Sequence, residues 1–341
     1  MPSSHKKAML AIESCRTPAL GGQVYHCNTC NADRYSYHSC KSRYCPKCQN
    51  GQAQQWLERQ SQLLLNAPHF LVTFTVPAEL RGLARSHQKI VYNIFMRACA
   101  RAMLTLTRNP KYLGGLVGMI SVLQTWTRDL RYHLHVHMIV CGAGLSPDGG
   151  QWKRLRYCYL VPYQALAELV RGKFRAALAK ENLLGTVPLS VWKTDWVVDL
   201  REVGSGFHAL RYLAPYIFRV AISNRRILSL HNGKVTFEFK DSKTKQPRKV
   251  TLPAAQFIAR FLQHVLPHRF IKVRTYGLFH PQNRSLLEKA KLLAGASKEA
   301  KQPEEAAPLS QYPEVINCPQ CKKPMQRIGT LPRQPSGVRS P

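Results

Sequence analysis

The sequence predicts an α/β protein in which a mostly antiparallel sheet is covered by helices, preceded by a small cysteine-rich module. Three observations lead there. Short β-branched and aromatic runs recur between helical stretches, and two of those runs are joined by a polar link short enough for a hairpin. Six of the 11 cysteines fall between Cys15 and Cys48, in a stretch poor in large apolar side chains. The chain has 341 residues and 45% hydrophobic content, which suits about two domains with cores of their own.

The elements follow in order. Residues 1–51 are rich in cysteine and turn residues and end at Gln49-Asn50-Gly51. Gln52 to Leu65 reads as a helix with Trp56, Leu63 and Leu64 as its apolar residues. Phe70 to Val76, closed by Pro77, reads as a strand, and Leu83 to Leu106 as a long helix closed by Asn109-Pro110. Gly118 to Gln124 and His133 to Val140 are two further strands, and Thr127-Arg128-Asp129 between them makes an antiparallel hairpin the natural pairing. Leu166 to Ala179 is expected to be a helix, Trp192 to Leu200 a strand, and Phe207 to Val220 an apolar, aromatic helix. Val235, Phe237 and Phe239 alternate with polar residues as a strand, and Pro253 opens a helix carrying Phe257, Phe261, Leu262 and Val265. This divides the chain into a metal-stapled module at 1–56, a main domain at 57–280 and a flexible tail at 281–341 with a lone Cys318-Pro-Gln-Cys321. No internal repeat is evident.

Charge narrows the partner. Fifty Lys and Arg against 18 Asp and Glu give +32, and a single-sign excess of that size is relieved by a polyanion such as a phosphate backbone. The N-terminus has no leader-like apolar core, and no apolar run reaches the roughly 20 residues of a membrane span, so a cytoplasmic location and no membrane partner are expected.

In such a compartment clustered cysteines speak for metal rather than disulfides. Cys27-Asn-Thr-Cys30 and Cys45-Pro-Lys-Cys48 are two knuckles whose separation resembles that of zinc ribbons, and together they would close a tetrahedron around one structural Zn²⁺. Cys15 and Cys40, with His26 and His38 nearby, leave a second four-ligand site open, whereas Cys318 and Cys321 supply half a site.

Tyr132-His133-Leu134-His135-Val136-His137-Met138 is the most informative run. On a strand His133, His135 and His137 share one face and Leu134, Val136 and Met138 the other, so imidazoles can converge on a divalent cation. Downstream, His208, Tyr212 and Tyr216 are spaced by four and would form one helical stripe. A phenol is a weak nucleophile, and a cation at the phosphoryl group lowers what is asked of it. Arg211, Arg219, Arg225 and Arg226 surround the pair and could bind DNA phosphates. Pro215 lies between the tyrosines and either kinks the stripe or starts a helix, which leaves one-tyrosine and two-tyrosine chemistry both open. His208 is the favoured third ligand and His133 the runner-up.

These residues resemble a known family. His135-Val136-His137, Tyr212-x3-Tyr216 followed by Arg219-Val-Ala-Ile-Ser-Asn224-Arg, the cysteine run from Cys15 to Cys48, and Phe261 to Pro267 with Arg274-Thr-Tyr-Gly277 are similar to the rolling-circle transposases of the insertion sequence 91 family, over about residues 10–280. The resemblance implies a histidine–hydrophobic–histidine (HUH) endonuclease domain behind a zinc-binding DNA-recognition domain. It further implies Mg²⁺ or Mn²⁺ on the histidine pair, and tyrosine attack on single-stranded DNA at transposon ends to leave a 5′-phosphotyrosine and a free 3′-OH. Such an enzyme would work at the nucleoid. Two other readings stay in play, a rolling-circle replication initiator and a non-catalytic zinc-dependent nucleic-acid-binding protein. A transposase built on three carboxylates fits poorly with 18 acidic residues and no evident acidic constellation.

Overall fold

In a computed structural model the described residues are 1–48, 50–155, 159–218, 221–241, 244–295 and 316–334; Arg219, Cys158 and most of residues 296–341 lie outside them. In chain order the elements are α1 (Ser3–Glu13), β1 (Gly22–Cys27), β2 (Ala32–Tyr37), α2 (Asn50–Ser61), β3 (His69–Thr75), α3 (Arg81–Ser86), α4 (Gln88–Thr107), β4 (Leu116–Trp126), β5 (Tyr132–Leu145), β6 (Trp152–Arg154) and α5 (Tyr163–Lys180). They continue with β7 (Val197–Glu202), α6 (Phe207–Phe218), β8 (Ile227–His231), β9 (Lys234–Lys240), β10 (Pro247–Pro253), α7 (Ala254–Leu262), β11 (Val273–Gly277), α8 (Arg284–Ala294) and β12 (Gln326–Leu331). None of the described helices is long and apolar enough to cross a membrane.

The main sheet runs β11-β4-β5-β3-β7, with β6 added to β5, and every pairing in it is antiparallel. The β4–β5 hairpin forms its centre and turns at the short link the sequence indicated. Alternation along the strands assigns the two faces. Val72, Phe74, Met119, Leu123, Leu134, Val136 and Met138 pack under α4 and α5, burying Tyr92, Phe95, Met103 and Phe174. Ile120, Val122, Ile139 and Cys141 form the other face, covered by Ala209, Leu210, Leu213 and Ile217 of α6 and by Leu57 next to it. The long helix expected from Leu83 to Leu106 is two, because His87 sits at φ −120°, ψ 45° between α3 and α4. The strand expected from Trp192 begins only at Val197, since Leu189–Trp192 coils into a 3₁₀ turn that buries Trp192.

Two smaller sheets flank this sandwich. β8, β9 and β10 form an antiparallel ribbon whose Phe237 and Leu252 pack with α7 residues Phe261 and Leu262 around the hairpin tip, Trp126 and Leu130. The other has the order β12-β1-β2, so the last strand pairs with the first. Within the stretch expected as a flexible tail, the described residues 281–295 and 316–334 include regular structure. Leu287 and Ala290 of α8 are buried against the main domain, and β12 returns to the N-terminal module, a pairing between strands about 300 residues apart that no local pattern could signal.

Candidate active site and metal centres

β5 is the strand on which the site is built. His133, His135 and His137 point to one side of it, with ring centroids 5.1 Å apart for the first pair and 4.9 Å for the second. The His135 Nδ1 donates to the His133 carbonyl at 2.8 Å, and the His137 Nδ1 is hydrogen-bonded to the Thr73 hydroxyl at 3.0 Å. The carbonyl fixes the His135 Nδ1 as the donor and leaves Nε2 as its lone-pair nitrogen, and the Thr73 hydroxyl orients the His137 ring, the kind of outer partner that metal-binding histidines have. Burial pushes the His135 pKa down to about 3, with the neighbouring His137 adding to the effect. Burial likewise pushes His137 to about 4, against the pull of Asp199. Both imidazoles are neutral at ordinary pH, the state that can ligate a cation.

Opposite them stands α6. The β7–α6 connection is bonded to β3, with the His69 amide donating to Gly204 and the Val203 amide to His69. Gly206 begins the helix at φ +81°, where an added Cβ would lie 2.7 Å from the His69 ring. α6 then runs unbroken to Phe218 with Pro215 inside it, so the helix does not start at the proline. Its apolar stripe faces the sheet and leaves Tyr212, 48% exposed, at the rim. Tyr212 and the three histidines line one cavity of about 700 Å³, which also takes in Gln124, Arg128, Arg131, Arg226, Lys240 and Arg248. Its acids are engaged, Asp129 with Arg131 at 2.7 Å and Asp241 with Arg248 at 3.2 Å.

Several sequence-predicted residues fall elsewhere. His208 is exposed at the start of α6 and is absent from the cavity lining. Among the described residues no three His, Cys, Asp or Glu ligand atoms lie within 4.8 Å of one another at this centre, while His133 lines the same cavity as the pair. Gln124, missed in the sequence, is buried, lines the cavity and lies directly across the ladder from His135. The hairpin register was the signal that would have found it. Arg226 does line the cavity and is also a structural anchor: its guanidinium donates to the carbonyls of Glu238, Ala221 and Arg128 and ties the β8–β10 ribbon to the hairpin tip. Arg211 and Arg225 are exposed beyond the lining, and the side chain of Tyr216, like Arg219, lies outside what is described.

The cysteines group differently from their spacing. Cys45 and Cys48 join Cys15 and Cys40, not Cys27 and Cys30, with all four sulfurs within 4.8 Å of one another. Cys15 and Cys48 are 3.4 Å apart and Cys40 and Cys48 3.7 Å, near the edge of about 3.8 Å of a tetrahedron with zinc–sulfur bonds of about 2.3 Å. These separations exceed a disulfide by far. The pairing of the two knuckles is thus corrected: β1 and β2 carry the first knuckle away on a hairpin, while the loop after β2 folds Cys40, Cys45 and Cys48 back onto the end of α1. His26 is bonded to Asp33 at 2.7 Å and belongs to neither cluster. Cys27 and Cys30 instead meet Cys318 and Cys321.

Known proteins resemble the chain along both parts. A family model described as "Putative transposase" matches residues 118–286, the stretch holding the hairpin, α6 and β11, and a "Transposase zinc-binding domain" matches residues 1–76. The "Putative transposase y4qJ" of Sinorhizobium fredii is 36% identical over 297 residues, 81% of this chain and 75% of that protein. The transposase for insertion sequence element IS801 of Pseudomonas savastanoi pv. phaseolicola is 27% identical over 281 residues, 77% of this chain and 67% of its own. No solved structure matches. With the antiparallel HUH sheet, a cysteine cluster suited to structural zinc and these relatives together, the chain belongs to the insertion sequence 91 family of transposases, proteins that cut DNA and transfer its strands.

Proposed function

We propose that this transposase cleaves and rejoins single-stranded DNA through a 5′-phosphotyrosine on Tyr212, as the catalytic step of rolling-circle transposition. One observation carries the reading: Tyr212 and the His135–His137 pair line the same basic cavity. A volume of about 700 Å³ suits a nucleotide-sized group, and Arg128, Arg131, Lys240 and Arg248 ring it with positive charge.

His135, His137 and the Gln124 amide oxygen are the donors proposed for the cation. Mg²⁺ or Mn²⁺ bound there would neutralise the phosphoryl oxygens. The basic side chains hold the strand by its phosphates and set its register. The Tyr212 oxygen bonds to phosphorus and the bond to the 3′-oxygen breaks; the phenol gives up one proton and the leaving oxygen takes one up. One phosphodiester has replaced another, so a 3′-OH from a second strand can reverse the step with no energy source. Tyr216, one helical turn further along α6, is the proposed acceptor for a second transfer.

The test is a denaturing gel of the protein with a single-stranded oligonucleotide from a transposon end and Mn²⁺. A protein–DNA adduct is expected, lost in Tyr212→Phe and in His137→Ala while binding to the oligonucleotide persists. Cutting with no adduct, or an adduct undiminished in Tyr212→Phe, would reject the mechanism. Binding without cutting under all metals would favour the non-catalytic reading.

A further inference from the structure

The Cys318–Cys321 knuckle is the part of the chain that the zinc-binding match does not reach, since that match ends at residue 76. It is nonetheless built into the N-terminal module. Cys27 and Cys321 sulfurs are 3.6 Å apart and Cys30 and Cys318 sulfurs 3.9 Å, and all four lie within 4.8 Å of one another. These separations match the edges of a tetrahedral zinc site and are far longer than a disulfide. Both knuckles end in a left-handed residue, Asn31 at φ 48° and Lys322 at φ 61°.

The surrounding backbone is shaped for the same contact. β12 pairs with β1 from Gly22↔Leu331 to His26↔Gln326. Gly21 sits at φ +66°, and a Cβ there would lie 2.6 Å from the Leu331 carbonyl, so the C-terminal strand runs against bare glycine backbone. Gln334 donates to the Pro18 carbonyl. Against this, the apolar cluster joining the segments holds little beyond Tyr25, Met325, Ile316 and the cysteines themselves. So small a core cannot offset the entropy of holding two chain ends together, and metal–thiolate bonds can.

We propose that Cys27, Cys30, Cys318 and Cys321 bind a second zinc ion that clasps the C-terminal segment onto the N-terminal hairpin, so that the zinc module is assembled from both ends of the chain. The proposal is independent of the tyrosine chemistry. The two ions are separable, since no cysteine belongs to both clusters.

Metal analysis of the full chain, purified without chelator, tests it directly: two zinc ions per chain are expected. Cys318→Ser/Cys321→Ser should retain one, expose residues 316–334 to limited proteolysis and speed amide exchange in β1, while the main domain keeps its thermal transition. Cys321→His, which keeps a zinc ligand, should hold the second ion. One zinc per wild-type chain, iron in place of zinc, or two zinc ions retained in the double variant would overturn the clasp.

Discussion

At the scale of single residues, the buried histidines decide the most. His264 is enclosed, hydrogen-bonded to Leu130 and Thr125 and stacked on Tyr132, and burial pushes its pKa to about 4; burial does the same for His69. The folded pKa lies below the ordinary 6.5, so the folded chain binds fewer protons than the unfolded one. The stability due to each neutral ring is complete above pH 6.5, falls as pH drops and is gone below about 4, a loss of roughly 3 kcal/mol per group at most. Denaturant unfolding at pH 7 and pH 5 should therefore show a smaller pH effect in His264→Gln than in the parent; equal effects would contradict this. At the zinc module, Cys45→Ser removes a ligand from the four-cysteine cluster, and the first 48 residues should lose protection from exchange along with one zinc. At the proposed catalytic centre Gln124→Ala should lower cleavage more than His208→Ala, because Gln124 faces His135 across the ladder and His208 is outside the cavity. The histidine face was legible in the sequence because period-two spacing is a local property of a strand. Gln124 was not, because its neighbour is set by hairpin register.

At the scale of elements, the core strands and the helices of the main domain were readable from pattern, whereas α1, β1, β2, α8 and β12, in the stretches read as cysteine-rich or as tail, were not; two departures within the main domain have local causes. The split between α3 and α4 comes from one backbone position, His87, within an otherwise continuous apolar period. β11 is only five residues long, has no long apolar run and sits at the sheet edge, so pattern alone does not mark it; a close approach fixes it there. Gly277 ends it at φ +60°, where a Cβ would fall 1.9 Å from the Val117 carbonyl. Gly277→Ala should cost at least ~2 kcal/mol by strain and displacement of the edge strand. Gly172, in the middle of α5 with open space around it, is the contrasting case, and Gly172→Ala should gain about 0.5–1 kcal/mol. Thermal unfolding of both variants checks the pair.

At the scale of the whole molecule, the charge of +32 and the basic cavity make DNA binding a counterion-release process. Affinity for a single strand should fall linearly on log–log axes with salt, and Arg131→Ala should make the slope shallower by about 0.7 if one phosphate contact is lost. An unchanged slope would place the strand elsewhere. What the sequence could not show at this scale is closure: the cysteine spacing suggested a self-contained zinc ribbon, whereas β12 and its knuckle come from the far end of the chain. Knuckle spacing identifies ligands but not their partners.

The proposed chemistry turns on Tyr212 as the nucleophile beside the His135–His137 pair. Peptide mapping by mass spectrometry of the protein–DNA adduct, formed with single-stranded terminal DNA and Mn²⁺, tests it most directly. A 5′-nucleotide on the peptide containing Tyr212, with fragment ions locating it on that phenol, is the predicted result. Attachment to a residue other than Tyr212 or Tyr216 would contradict the account; attachment to Tyr216 alone would move the first strike one helical turn and remove Tyr212 from it.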